Sequence, residues 1–312
     1  MKHLLLLLSA SLVLVSCSST PREPDEIRVT RNRAAQFAEY GNTAFDRADY
    51  SQARAFFEIA LALNTSVDER DGMADMHNSI GRTWQAQGDF DTASDHYATA
   101  RRMSERTGNA RIEALAINNQ GELSLQQGNA EQARTMFETA LEKLDTVGNV
   151  DSDRAIVLHN LGSAHASAGR LDDARVILGE AEEVNRRLNR RRELAANLFM
   201  RASVESRSGN LEQAFAYASE ALELDRAMEN PRGIAADLYA LGRISFRMNR
   251  NEDALDYLSR SLAVHESISA PRGMIRALQA LEEVATATGD DVAATDYARR
   301  RETLESASGG SR

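Results

Sequence analysis

The sequence is poor in the residues on which disulfide bonds, metal sites and membrane spans depend. It has one cysteine, Cys17, in 312 residues, which excludes an intrachain disulfide and a thiolate metal site. An apolar run at residues 4–15 has twelve residues, whereas about 20 are needed to cross a bilayer. The six histidines show no metal-ligand spacing, and no His-Glu-x-x-His, Gly-x-Ser-x-Gly or phosphate-loop motif is present. We therefore expect no enzyme activity, no cofactor and no bound metal.

Basic residues are also in the minority. The chain has 37 lysines and arginines against 47 aspartates and glutamates, which gives a formal net charge of −10. Lys2 and Lys143 are the only lysines. An acidic chain is repelled by phosphate backbones and by anionic lipid headgroups. We expect no nucleic-acid partner and no adsorption on an anionic membrane surface.

The first 17 residues have the pattern of a targeting segment. Lys2 precedes the short apolar run, and the run closes on Leu14-Val15-Ser16-Cys17. This tetrapeptide resembles a bacterial lipobox, in which the cysteine becomes the lipidated first residue and carries acyl chains such as palmitate. The alternative is an uncleaved membrane anchor, for which the run is too short. Ser18 follows the cysteine, and by resemblance to proteobacterial lipoproteins this favours the outer membrane.

An internal repeat of about 40 residues organises the rest of the chain. One series of small residues recurs at this period, a second series follows it by seven residues, and a glycine-rich series precedes it by twelve. Residues that break the pattern of these series occur only in the second half of the chain. The first series is Ala53, Ala93, Ala133, Ala174, Ala214, Ala254 and Ala294; the second is Ala60, Ala100, Ala140, Ala181, Ala221, Ser261 and Arg301; the third is Gly41, Gly81, Gly121, Gly162, Ala202, Gly242 and Glu282.

Each repeat reads as two helices separated by a tight turn. The intervals of twelve and seven residues are close to whole numbers of helical turns, and apolar residues follow at helical spacing. Residues that tolerate a positive φ mark the turn between the two helices. We interpret Thr30 and Ser51 as helix N-caps. The predicted turn positions are Ala48, Gly88, Gly128, Gly169, Gly209, Asn249 and Gly289.

These features resemble the tetratricopeptide repeat (TPR). The resemblance rests on Leu161-Gly162, Ala174, Leu178 and Ala181 with their equivalents in other units, and on Trp84 and Gly88-Asp89-Phe90. The period of 40 instead of 34 resembles the subclass typified by kinesin light chain. The resemblance implies an all-α, right-handed superhelical solenoid of about seven helix-turn-helix repeats. We predict a signal peptide at 1–17, a flexible tether at 18–30, the solenoid at 31–306 with its last repeat as a polar cap, and a disordered tail at 307–312.

The family's groove positions in the first helix of each unit give a candidate binding surface. Asparagines dominate its first half, and an asparagine amide can pair with the backbone of any extended peptide. Aromatic residues dominate its second half and could provide anchoring pockets. The two-lysine carboxylate clamp of chaperone-binding TPR proteins is not matched. The candidate residues are Asn42, Asn78, Arg82, Gln85, Asn118, Asn119, Glu122, His159, Asn160, Phe199, Tyr239, Arg243 and Phe246, with Leu125, Ser163 and Ser203 at the same positions.

Two functions are consistent with this pattern. The first is a lipid-anchored scaffold in the cell envelope, facing the periplasm, that binds a partner protein or peptide segment in the groove. The second is a solute-binding component of a periplasmic transport system, with a small ligand held by Phe199, Tyr239, Phe246 and Arg243. A run of arginines offers a further docking patch for an acidic partner, unless it is paired with nearby glutamates. The run consists of Arg186, Arg187, Arg190, Arg191 and Arg192.

Overall fold

The computed structural model describes residues 25–309, which form fourteen α-helices and no strand. The helices pair into seven units, so the predicted all-α solenoid of about seven repeats is confirmed. Within this range no helix is both long and apolar enough to cross a membrane. Their bounds are α1 Asp25–Asp46, α2 Tyr50–Ser66, α3 Arg70–Gln87, α4 Phe90–Thr107, α5 Ala110–Gln126, α6 Ala130–Leu144, α7 Asp151–Ser167, α8 Leu171–Arg187, α9 Arg191–Ser208, α10 Leu211–Ala227, α11 Pro231–Arg247, α12 Asn251–Ser267, α13 Pro271–Thr288 and α14 Asp291–Gly309.

The first helices of the units form the inner layer of the stack. Each helix packs against the next one along the chain, and α3, α5, α7, α9, α11 and α13 also contact one another in succession. Contacts between successive second helices are sparser in the described range. Neighbouring elements approach most closely on the inside of a curved stack. The odd-numbered helices therefore line the concave side, as expected for a binding groove.

The small residues of the repeat lie where helices approach most closely. In units one to six, both small-residue series are fully buried, with 0% of their surface exposed from Ala53 to Ser261. The predicted turns are also confirmed, because all seven turn positions from Ala48 to Gly289 have positive φ. A second set of positive-φ turns joins successive units and was not predicted. It comprises Asp68, Gly108, Asn149, Asn189, Glu229 and Ser269.

The glycine series makes room for a large side chain sixteen residues later. A Cβ atom on Gly121 would lie 2.6 Å from Phe137 Cε1, and one on Gly162 would lie 2.6 Å from Leu178 Cγ. The same clash would occur at Gly41, Gly81 and Gly242. In unit five, where Ala202 replaces the glycine, the residue sixteen positions later is Ala218, and both are fully buried. The side chains at the two positions therefore compete for the same space in the core.

The last unit departs from the pattern at two positions that contact each other. Arg301 Nε donates to Glu282 Oε2 over 3.2 Å, and the same guanidinium binds Glu305 at 3.1 Å. The two charged residues that break the repeat therefore pair with each other at the C-terminal end of the stack. No eighth unit packs on this surface in the described range, so charged side chains can cover the end of the core.

Several predicted boundaries and caps need correction. Helix α1 begins at Asp25, so residues 25–30 are helical instead of a tether, and an Arg28–Asp25 ion pair of 2.8 Å supports the first turn. Thr30 lies inside α1, where its hydroxyl donates to the Glu26 carbonyl, and Asp49 caps α2 in place of Ser51. Helix α14 reaches Gly309, three residues into the predicted tail. The signal peptide and Cys17 lie outside the described residues.

The joint between units five and six contains two buried carboxyl groups. Asp237 on α11 is 1% exposed and Asp225 on α10 is 6% exposed. Burial, together with the neighbouring Asp225 carboxylate, raises the pKa of Asp237 to about 8. Asn230 Nδ2 donates to Asp225 Oδ1 over 2.9 Å. At neutral pH Asp237 is therefore mostly protonated, and this joint differs from its neighbours in carrying a proton-dependent charge.

Candidate functional site

Six of the predicted groove residues line one cavity. The cavity has a volume of about 400 Å³ and lies on the concave side, between the first helices of units two and three. Its remaining wall comes from the neighbouring helices α1 and α7 and from further residues of α3 and α5. The predicted residues are Asn78, Arg82, Gln85, Asn118, Asn119 and Glu122; the others are Phe45, Asp75, Ser79, Ala86, Leu115, Gln126 and Ile156.

Asparagine side chains link units three and four across the groove. Asn160 Nδ2 on α7 donates to Asn118 Oδ1 over 2.9 Å and to Glu122 Oε1 over 2.6 Å, both on α5. Asn118 Nδ2 in turn points to Asn119 Oδ1 at 3.4 Å, a long and weak contact. This amide ladder fixes the orientation of its members before any partner arrives.

Glu122 is the ionisable member of the amide ladder. Burial raises the pKa of its carboxyl group, while hydrogen bonds from the Asn160 and Asn118 amides and the positive charge of Arg82 act in the opposite direction. The raised pKa means that the burial effect prevails. The carboxylate would be stabilised by one more donor or by a cation.

Asn78 occupies the same position in α3 that Asn118 occupies in α5, but its amide is unpaired. Asn78 is 4% exposed, and neither Nδ2 nor Oδ1 has a hydrogen-bond partner among the described residues. Buried polar groups are nearly always paired, and an unpaired one costs about 1–3 kcal/mol. Since Asn78 lines the cavity, a bound group there could satisfy its donors and its acceptor.

Gln85 and Arg82 have interactions within the chain. The Tyr97 hydroxyl donates to Gln85 Oε1 over 2.5 Å, and burial raises the pKa of Tyr97, which keeps the phenol protonated. Gln85 therefore has a structural role that the sequence did not reveal. The Arg82 guanidinium lies 4.6 Å from the Phe45 ring centroid, in a cation–π contact. Arg82 is exposed, so its charge remains accessible at the edge of the cavity.

In unit four, His159 occupies the repeat position that Asn78 and Asn118 occupy in units two and three. Burial lowers the pKa of this histidine to about 4, so the imidazole is neutral at physiological pH. Its Nδ1 atom is buried and has no hydrogen-bond partner in the described part of the chain. Asn78 and His159, on either side of the amide ladder, thus both present unpaired polar atoms.

The aromatic half of the predicted site does not form one pocket. Phe199 packs against Leu194, Leu198 and Ala221, whereas Phe246 lines a separate depression near the C-terminal cap. Tyr239 packs on the core cluster of the last two units. Arg243 is ion-paired with Glu283. Tyr239 and Phe246 thus share one core cluster, whereas Phe199 belongs to another.

Asn42 lies apart from the cavity as well. It is exposed and lines a second, N-terminal depression between α1 and α3, with Asn64, Glu69 and Asp75 among its neighbours. Asp75 borders both depressions, so Asn42 belongs to an adjoining part of the same face.

Histidines and carboxylates do not assemble a metal centre in the described residues, where no group of three or more potential ligands occurs. His77 and His96 face each other instead, with their Nδ1 atoms 3.0 Å apart. Burial lowers the pKa of both rings. One ring therefore donates and the other accepts, as expected for packed histidines.

A family model described as tetratricopeptide repeat matches residues 33–106, 112–187, 153–227 and 192–267. The chain belongs to the tetratricopeptide repeat family. No curated protein matches the sequence.

Solved structures show the same TPR fold at low identity. BtubC (BKLC) from P. vanneervenii is 18% identical with a TM-score of 0.62, over 72% of this chain and 93% of that one. A Rap protein complexed with competence and sporulation factor is 16% identical with a TM-score of 0.68, over 90% and 77%. The Rap conjugation regulator of plasmid pLS20, in complex with the Phr* peptide, is 17% identical with a TM-score of 0.67, over 94% and 80%.

The arginine run of this TPR protein is largely neutralised. Arg186 pairs with Glu182 and Glu220 at 2.7 Å, and Arg187 pairs with Asp151 at 2.8 Å. Arg190 pairs with Glu193. Exposed pairs of this kind contribute about 0–1 kcal/mol each, so they mask the charge without adding much stability.

Arg192, the last residue of this run, reaches a distant unit. Its guanidinium lies 2.8 Å from Asp46 Oδ1, which joins the start of α9 in unit five to the end of α1 in unit one. The stack therefore curves enough to bring the edges of these two units together. The curvature places the cavity inside a partly enclosed groove.

Sequence reasoning missed several cavity residues that the repeat itself could have indicated. Asp75 and Asn78 are three residues apart on α3, so they share a helix face. Phe45 occupies the same repeat position as Gln85, and Ile156 the same position as Asp75. Extending the four family positions by one helical turn would have included both Asp75 and Ile156.

Proposed function

We propose that this TPR protein is a non-catalytic scaffold that binds an extended segment of a partner protein across units two to four. The observation that carries the proposal is the unpaired, buried amide of Asn78 in a cavity beside a preorganised amide ladder. A backbone peptide group supplies one donor and one acceptor, the two kinds of group that the Asn78 amide requires. The Rap complex with the Phr* peptide supports this use of the fold.

The proposed location is the outer membrane, facing the periplasm, with lipid attached to Cys17. The partner would then be another cell-envelope protein. We expect Cys17→Ala to abolish lipid modification and to move the protein from the detergent phase to the aqueous phase of a detergent extraction. Wild-type protein that already partitions into the aqueous phase would refute the anchor.

Asn78→Ala tests the groove. The variant should weaken partner binding, because one net amide contact contributes about 0.5–1.5 kcal/mol, or roughly two- to twelvefold in affinity. It should not lower the free energy of unfolding, since the amide has no partner to lose in the free protein. If Asn78 had only a structural role, Asn78→Ala would lower the free energy of unfolding and leave the affinity for the partner unchanged.

The measurement begins with crosslinking of the intact lipoprotein in native envelopes, followed by calorimetry with the captured segment. Gln132→Ala is the matched control, because Gln132 is an exposed amide on α6, outside the cavity. Equal affinity of wild type, Asn78→Ala and Gln132→Ala would exclude this cavity as the binding site.

A further inference from the structure

Two acidic side chains converge on the cavity from neighbouring helices. Asp75 extends from α3 and Glu122 from α5, and both line the same space as Asn78. The Asp75 carboxyl group accepts no hydrogen bond in the described range, and Glu122 accepts hydrogen bonds from the Asn160 and Asn118 amides. Burial raises the pKa of both carboxyl groups, although nearby arginines partly oppose the effect. Both carboxylates are thus short of compensating positive charge.

The nearby arginines supply only part of that charge inside the cavity. Arg111 is held by Asp153 through two hydrogen bonds of 2.6 and 3.1 Å. Arg82 lies over the Phe45 ring at the exposed edge. Arg82 is the one basic residue among those that line this cavity, against the two acidic residues Asp75 and Glu122. The lining therefore has one more acidic than basic side chain.

Apolar side chains form part of the remaining wall of the cavity. Phe45, Leu115 and Ile156 contribute an aromatic ring and two branched aliphatic side chains from α1, α5 and α7. Lysine and arginine bury an aliphatic stem against apolar surface while their charged head reaches polar groups. Apolar walls next to two carboxylates fit such a side chain. A bound anion would face both carboxylates in a partly buried space.

We infer that the bound segment places a cationic side chain, arginine or lysine, in this cavity, with its head group between Asp75 and Glu122. The inference rests on the proposed function and specifies the chemistry of the segment. Arginine fits best, because its guanidinium has five donors and no acceptor, while the two carboxylates and Asn78 Oδ1 are acceptors. The acidic net charge of the chain would steer a basic segment towards the groove.

Three small probes of similar size test the inference on the folded chain by NMR. N-ethylguanidinium carries the arginine head group, N-ethylurea is its neutral counterpart, and propionate is an anion. The readout is the saturable shift of the Asn78 and Asn118 side-chain amide signals. We expect N-ethylguanidinium to bind about five- to tenfold more tightly than N-ethylurea, because hydrogen bonds to charged groups are stronger. Propionate should bind more weakly than both.

Substitutions assign the effect to the two carboxylates. Glu122→Gln and Asp75→Asn should each reduce the preference for N-ethylguanidinium over N-ethylurea to about twofold or less. Glu223→Gln is the control, because Glu223 is an exposed carboxylate on α10, outside the cavity. It should leave the preference unchanged.

The outcomes separate this inference from the proposed function. Equal binding of guanidinium and urea, or tighter binding of propionate, would overturn the cationic preference. In that case a shift of the Asn78 side-chain amide signal caused by N-ethylurea would still support recognition of amide groups in the groove. If none of the probes shifts Asn78, both the inference and the use of this cavity are refuted.

Discussion

Each inner-helix glycine of the third series packs against a large residue sixteen positions later. This close contact allows a quantitative test of the packing. Gly162→Ala adds a Cβ atom 2.6 Å from Leu178 Cγ and 2.8 Å from Leu178 Cδ2. Leu178 is fully buried, so it cannot move aside without disturbing its neighbours. Overpacking of this kind costs about 1–3 kcal/mol, while alanine gains about 0.5–1 kcal/mol over glycine in a helix. We expect a net loss of roughly 0–2.5 kcal/mol from these two effects.

Gly179→Ala is the matched control in the same unit. Gly179 lies in α8, and a Cβ atom there would meet no atom within 4 Å. This variant keeps the helical gain without the clash, so it should raise the free energy of unfolding by about 0.5–1 kcal/mol. The difference between the two alanine variants isolates the clash and should be about 1–3 kcal/mol.

A double variant shows whether the two positions share one volume. Leu178→Ala alone should cost about 2–5 kcal/mol, because it leaves a cavity. Gly162→Ala with Leu178→Ala reproduces the Ala202 and Ala218 combination of unit five. The double variant should therefore cost less than the sum of the single variants. The assay is urea unfolding followed by far-ultraviolet circular dichroism, and the reasoning fails if Gly162→Ala matches Gly179→Ala or if the double variant is additive.

Two further predictions concern a joint and the end of the stack. The pKa of Asp237 is raised in the folded state, so the folded protein holds a proton that the unfolded chain releases. The free energy of unfolding of the wild type should therefore fall as the pH rises from about 4 to about 8. Asp237→Asn should remove that component of the slope in urea unfolding at several pH values, and an unchanged slope would refute the assignment. Ala140→Leu should cost about 1–3 kcal/mol by overpacking, whereas Arg301→Leu should cost less than about 1 kcal/mol but lower solubility. Equal thermal losses would show that the inner joints and the C-terminal cap are not distinguished in this way.

The repeat register could be predicted because it depends on local residue types. A buried joint needs a small side chain at Ala53 and its equivalents, and a helix end needs a residue that accepts positive φ at Gly88 and its equivalents. Both requirements recur at each unit and therefore stand out in the sequence. In the turns between units the signal is irregular: Gly108, Asn149 and Asn189 carry it, whereas Asp68, Glu229 and Ser269 do not.

Pairings between helices could not be predicted with the same ease. The sequence shows Glu282 and Arg301 as two separate departures from the repeat, and only the packing of α13 on α14 brings them together. The contact of Tyr97 with Gln85 is of the same kind. Each requires the rotation of one helix against another, which a list of small and apolar positions does not specify.

The two halves of the predicted groove differ for a physical reason. The amides of Asn118 and Asn160 remain at the concave surface because they can pair with one another there. Phe199 and Tyr239 occupy the repeat position of Asn118, but their large apolar surfaces are stabilised by packing on the adjacent core. Sequence position alone therefore does not distinguish a side chain that stays in the groove from one that packs on the core.

Unpaired polar groups occur along the described stack, and two of them lie close to the amide ladder. Unpaired groups of Asn78 and His159 lie on either side of a self-paired amide ladder, so the cavity combines fixed geometry with unsatisfied hydrogen-bonding capacity. The carboxyl pair at Asp237 lies farther along the stack, at the joint between units five and six, and outside the cavity. In a solenoid, stability is approximately a sum over units and their nearest-neighbour joints. Titration of Asp237 should therefore change the stability of that joint while units two to four retain the geometry on which binding depends.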